Sequence, residues 1–168
     1  SLQKAEQKLT DTEDKNLKAL YITSYGHDIE KVLTTNHQLN EKLKQEDSVI
    51  ANLNSVSEII LSQSLQKEKI ERWNAFWKHH DRTALEKQLV LYGQEYGFKP
   101  ETHIPFYQLL QHHFTPLTVS DFRKFNSLLF DEFITDKAGF YTVSTIVKVP
   151  FEKRDEFVNQ FSETPHVM

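Results

Sequence analysis

Hydrophobic positions along this chain switch between a period of two and a period near 3.6, and each switch marks an element. Residues 2–16 are polar and charged, with Leu2, Ala5 and Leu9 at helical spacing, a thin stripe that predicts a solvated helix. Lys18-Ala19-Leu20-Tyr21-Ile22-Thr23-Ser24-Tyr25 is rich in aromatic and β-branched types and stops at Gly26, which predicts a strand. Asp28 stands at a helix N-cap, and Ile29, Val32, Leu33, Leu39 and Leu43 recur on one face to about Gln45. Residues 48–56 alternate weakly and read as a second strand, followed by a short helix through Ile59, Ile60 and Leu61.

The helical period then takes over. From Leu65, residues Ile70, Trp73 and Trp77 share a face, with Lys67, Glu68, Glu71 and Arg72 mostly opposite. Thr83 with Glu86 reads as a capping box before a Leu85, Leu89, Tyr92 stripe, and Gly97 supplies a left-handed stop. A third helix fits Ile104, Phe106, Leu109, Leu110 and His113, with Thr102 as its cap, Pro105 in its first turn and Pro116 beyond its end. Thr118 with Asp121 caps a fourth, stapled by Leu117 and Phe122 and continuing through Phe125, Leu128 and Leu129. Residues 139–149 form the strongest strand, with Tyr141, Val143, Val147 and Val149 on one face. Pro150 opens a last helix with Phe151, Phe157, Val158 and Phe161, and Pro165–Met168 reads as the opening of another strand.

This order predicts an α+β fold: a split βαβ ferredoxin-like core over 18–57 and 138–168, with a helical bundle over 58–137 inserted between strands two and three. All 168 residues are expected to form one domain. Lys and Arg number 20 against 24 Asp and Glu, a net charge of −4 that gives nucleic acid no basic surface to hold. No apolar run reaches the ~20 residues of a membrane span, and Ser1-Leu2-Gln3-Lys4 has neither signal-peptide character nor an initiator Met, so the chain is expected to be an excised segment. The absence of cysteine removes disulfides, thiolate metal sites and cysteine nucleophiles.

Candidate chemistry is sparse. His79-His80 and His112-His113 invite a zinc reading, but adjacent helical residues point ~100° apart, so each doublet offers at most one ligand. Ser24-Tyr25-Gly26-His27-Asp28 resembles a triad written in a line, which neighbours in sequence cannot fold into; a turn and a cap account for Gly26 and Asp28. Four scattered glycines build no phosphate-binding loop. Glu41 with Asp47, and Asp131 with Glu132, lie in charged runs suited to wet helix faces rather than to a glycosidase pair. No catalytic residue and no cofactor are assigned. The unusual feature is the ring content, twelve Phe, six Tyr and two Trp, which serves either as core or as a patch for a hydrophobic ligand or partner.

Several stretches resemble one family. Residues 20–33 are similar to a strand, loop and helix start, and Ser64–Trp73 to a helix carrying Gln, Arg and Trp. Tyr96-Gly97-Phe98-Lys99-Pro100, Ile104-Pro105-Phe106 and Pro116-Leu117-Thr118 follow in matching order over most of 18–168. Together they resemble the first periplasmic, porter-like domain of RND-superfamily exporters of the MMPL-like group. The resemblance implies a bacterial inner-membrane protein whose ferredoxin-like periplasmic domain lies between the first two membrane helices. It also implies a lipid-like or other hydrophobic substrate, with the proton relay in membrane helices outside this chain. The implied partners are the membrane domain and second periplasmic domain of the same polypeptide, and copies of the full-length protein. Phe76, Trp77, Phe106, Phe114 and Phe125 are the candidates for an apolar substrate path, with ordinary core as the first reading of each. Two other readings stand beside this one: a free-standing α+β module that docks a protein through its aromatic helices, and, on the histidines alone, a zinc hydrolase.

Overall fold

The structure is a computed structural model that describes residues 16–46, 48–125, 127–162, 164–165 and 167–168, with backbone only at 125 and 127–129. The helix expected over residues 2–16 therefore lies outside the described residues apart from Asn16, which sits in a turn. The chain is α+β with a small antiparallel four-stranded sheet, and it divides into two compact units, one reaching Ser62 and resuming at Thr118, the other spanning Gln63–Leu117.

The first unit is organised by its longest strand. Strand β1 is Leu17–Gly26, helix α1 Ile29–Leu43, β2 Asn52–Asn54, α5 Val119–Phe125, α6 Ser127–Phe133, β3 Ile134–Lys137, β4 Phe140–Pro150 and α7 Arg154–Ser162. β4 pairs antiparallel with β1 along its whole length, Leu17 opposite Pro150 and Gly26 opposite Tyr141. Its other edge carries β2 at Ile146–Lys148 and β3 at Phe140–Val143. β1 and β2 thus run parallel to each other with β4 between them, joined by α1. Beyond β1, Val167 bridges Ser24 antiparallel, and Thr23 and Met168 exchange backbone bonds of 2.8 and 3.0 Å.

Alternation explains where the core lies. Val143, Thr145, Val147 and Val149 are fully buried on one face of β4. α1 sets Val32, Leu33, Leu39 and Leu43 against that layer, and Asp28 caps it by accepting from the Glu30 and Lys31 amides. α7 adds Phe157 and Phe161, while α6 contributes Phe130 and Phe133.

Four local expectations give way. The second strand shrinks to Asn52–Asn54, and the short helix through Ile59–Leu61 is a single turn in which the Ile59 and Ile60 amides both reach the Val56 carbonyl. Ser55 Oγ accepts from the Ser57 amide there, a local bond that competes with helix, while Val56, Ile60 and Leu61 are pinned into the core. The helix after Thr118 is two helices, α5 and α6. Ile134–Lys137, expected within the helical insertion, is instead strand β3, folded onto β4 by a two-residue turn with φ of 52° at Ala138 and 77° at Gly139.

Candidate binding surface of the helical unit

The second unit contains α2 Gln63–Lys78, α3 Arg82–Glu95, a 3-10 turn Pro100–His103 and α4 Ile104–Gln111. α3 starts two residues earlier than the Thr83 box predicts: Asp81 Oδ1 accepts from the Ala84 amide at 3.0 Å, which places Thr83 inside the helix. Its end is as expected, with Gly97 at φ 79°. The Phe98 amide reaches the Gly93 carbonyl and the Gly97 amide the Gln94 carbonyl, the paired closure of a Schellman motif. Thr102 lies in the 3-10 turn and does not cap α4, which enters through His103 without a side-chain cap and carries Pro105 in its first turn.

Side chains tie these pieces together. Tyr107 Oη donates to the Glu86 carbonyl at 3.2 Å, and the Arg82 guanidinium donates to the Leu110 carbonyl. Gln66 holds Leu117 at both backbone groups, accepting at 2.7 Å and donating at 2.9 Å. A Cβ at Gly93 would come within 2.8 Å of His103 Nε2, so the missing side chain is what lets the His103 ring lie on α3.

Burial in this unit is thin. Leu110 is the one buried side chain of residues 63–117, and α2 and α3 have none. Rings meet at the surface instead. Phe76 packs edge-on to Trp77 at 5.0 Å, Trp77 meets Trp73 at 5.6 Å, and Trp73 meets Phe114 at 5.9 Å. Three of the five candidate path residues, Phe76, Trp77 and Phe114, therefore join one ring chain through Trp73. Phe106 belongs to another group with Tyr107, His103 and Phe98, at centroid separations of 6.2 to 6.4 Å. Phe125 is in α5 of the other unit, and its side chain lies outside the described residues.

Two grooves flank the middle of α3. One, of about 380 Å³, is walled by Phe76, Trp77, His80, Asp81 and Ala84; the next, of about 330 Å³, by Leu89, Tyr92, Tyr96, Phe98 and His103. Leu85 and Gln88 line both, so the two form one track along the helix. Each end has a polar atom without a hydrogen-bond partner among the described residues, Trp77 Nε1 in the first and His103 Nε2 in the second. The track offers rings and aliphatic carbon along its length and a nitrogen near each end.

Comparison with protein-family models, with curated proteins and with solved structures finds no match to this chain. The site thus rests on its own geometry. That geometry adds Tyr92, which the sequence reading assigned to a stripe, Tyr96 and Phe98, which it quoted only within a family-like segment, and His103, which it did not single out. Their signal was the density of rings around Gly97, read there as backbone punctuation.

The residues weighed for other chemistry go elsewhere. His80 stacks on Phe76 at 4.0 Å with Nδ1 against the Phe76 carbonyl, and His112 sits edge-on to Phe114 at 4.8 Å. Among the described residues no three His, Asp or Glu side chains converge as metal ligands. Ser24 is fully buried, His27 Nδ1 meets the Gly139 carbonyl, and Asp28 is a cap, so the linear Ser-His-Asp run has no triad geometry. No helix among the described residues is long and apolar enough to cross a membrane.

Proposed function

We propose that this chain is a periplasmic domain of a bacterial inner-membrane exporter of the RND/MMPL-like kind, whose helical unit receives and guides a lipid-like, hydrophobic substrate. The observation that carries the reading is the ring-lined track along α3 in a unit that buries only Leu110 and leaves Tyr96 81% and Phe76 53% exposed. Apolar surface of this extent marks a binding face rather than a packing accident. An acyl chain suits it, because rings and aliphatic side chains make up most of both walls, with His80, Asp81 and Gln88 as the polar groups among them. The domain itself performs no reaction in this role; the energy comes from a membrane part with its second periplasmic domain, and full-length copies assemble around the exit path.

Support for the fold side of the reading comes from strand order. β1 and β2 flank the central β4 and are joined by α1, α7 follows β4, and Val167 bridges the far edge of β1, an order that supports the ferredoxin-like reading. The helical unit lies between β2 and β3 in chain order.

The test uses fluorescence. Both tryptophans of the chain, Trp73 and Trp77, lie on α2, so tryptophan emission, excited where tyrosine does not absorb, reports on the helical unit. Dibrominated stearate, added below its micelle concentration, is expected to quench that emission saturably, and Tyr92→Glu to weaken the effect about tenfold, equivalent to ~1.4 kcal/mol. Absence of saturable quenching removes the lipid reading and leaves a protein-docking module in its place.

A further inference from the structure

Helix α4 is held from one side. Leu110 is fully buried, the Tyr107 hydroxyl donates to the Glu86 carbonyl, and the Arg82 guanidinium reaches the Leu110 carbonyl from α3. The other apolar side chains of α4 stay exposed, Ile104 at 46%, Phe106 at 39% and Leu109 at 46%, with Pro105 beside them. The sequence around them is free of charge. Thr102–Leu117, sixteen residues, contains no Asp, Glu, Lys or Arg, in a chain where those types make up 26%. Its ends are polar but uncharged in type: Thr102 precedes the helix, Gln111, His112 and His113 close it, and all four are exposed.

We propose that α4 docks on the surface of a lipid bilayer, with Ile104, Phe106 and Leu109 at the first acyl carbons and Thr102 and Gln111–His113 among the headgroups. The missing charge selects this partner. A protein interface surrounds its apolar centre with a polar rim in which charged side chains take part, so it gives no reason to clear sixteen residues of them. A bilayer penalises every charged side chain that enters it and accepts rings, aliphatic carbon and neutral polar groups near the headgroups. Length sets the mode of contact. The eight residues of α4 span about 12 Å, well short of a ~30 Å hydrocarbon layer, so the helix lies along the surface. Composition sets the lipid class: with no Lys or Arg in the stretch, apolar burial supplies the attraction and an uncharged phospholipid suffices. Ile104, Phe106 and Leu109 do not line the track along α3, so this inference does not depend on the acyl-chain reading.

The experiment floats the full chain with vesicles of phosphatidylcholine, alone or mixed with phosphatidylglycerol. Binding to phosphatidylcholine alone is expected, changing by less than about twofold between about 0.1 and about 0.5 M salt. Leu109→Glu and Ile104→Glu are each expected to weaken it at least about tenfold. Both sites are exposed, so circular dichroism and the response of Trp73 and Trp77 to dibrominated stearate are expected to stay as in the parent chain. Should a glutamate variant lose helicity, the chain's lack of cysteine supplies a second measurement: a nitrobenzoxadiazole label on the thiol of Leu109→Cys is expected to shift to the blue with vesicles. An unshifted label overturns the proposal, as does absence of flotation with phosphatidylcholine. Flotation that needs phosphatidylglycerol and is lost in salt overturns it, as does flotation unchanged in both folded glutamate variants. A dimer in sedimentation that stays off vesicles and that both variants dissociate overturns it in favour of α4 pairing between copies.

Discussion

Asn36 lies at 1% exposure beneath β4, where its Nδ2 donates to Thr145 Oγ1 at 3.0 Å and its Oδ1 accepts from Ser55 Oγ at 3.4 Å. Thr145 in turn donates to Ser55 at 3.1 Å, so one helix, one strand and one loop meet in a buried polar triangle. Asn36→Ala leaves the Thr145 and Ser55 hydroxyls short of a partner, and urea unfolding is expected to show a loss of about 1 to 3 kcal/mol. Periodicity identified the apolar neighbours Val32, Leu33 and Leu39 but passed over Asn36, because its burial depends on partners 19 and 109 residues away. The helical unit gives the opposite contrast. Leu110→Ala is expected to cost about 2 to 5 kcal/mol, whereas Phe106→Ala, at a site 39% exposed, is expected to cost less than about 1 kcal/mol. Thermal unfolding of the two variants distinguishes a packing role from a surface one.

Elements are set largely by their ends. The Thr118 hydroxyl and amide both donate to Asp121, and the Asp121 amide donates back to Thr118 Oγ1 at 3.2 Å, closing the box that the sequence predicts for α5. The Thr118 hydroxyl first, then its amide and the Lys124 ammonium, hold the Asp121 carboxyl below its usual range. With the folded value depressed, the cap's contribution is complete above the ordinary carboxylate range and is lost as pH falls through the lower folded value. Thr118→Ala is expected to move the carbon-detected titration midpoint of Asp121 upward; an unmoved midpoint would assign the depression elsewhere. The β3–β4 turn makes a second prediction. Ala138 adopts a left-handed φ of 52° that glycine tolerates better, so Ala138→Gly is expected to stabilise by about 1 kcal/mol, read as a raised thermal midpoint. Asp28, Gly97 and Asp121 were legible because caps are local chemistry. Asp81 displaced Thr83 as a cap because a carboxylate two residues earlier already satisfies the first turn, and β3 was illegible because four residues carry too little alternation to stand out from the helix before them.

At the scale of the whole molecule the two units differ in how they are held. The first has two apolar clusters on the α-helical side of β4, the second one buried leucine and a set of side-chain ties to backbone. Amides of α2 and α3 are therefore expected to exchange at least about a hundredfold faster than those of β4, a difference that native-state hydrogen exchange measures directly. Equal protection would mean that the rings of the helical unit are covered in solution. The sequence by itself determined the long elements, since Tyr21–Tyr25, Ile29–Leu43, Trp73–Trp77 and Phe140–Val149 each carry their own period, and it determined the α+β class that their order implies. The tertiary structure alone decided which strand is central, that Asn36 is interior and that the ring-bearing helices keep their aromatics at the surface. The physical reason is range: a period records which residues share a face, while burial depends on what another part of the chain places against that face.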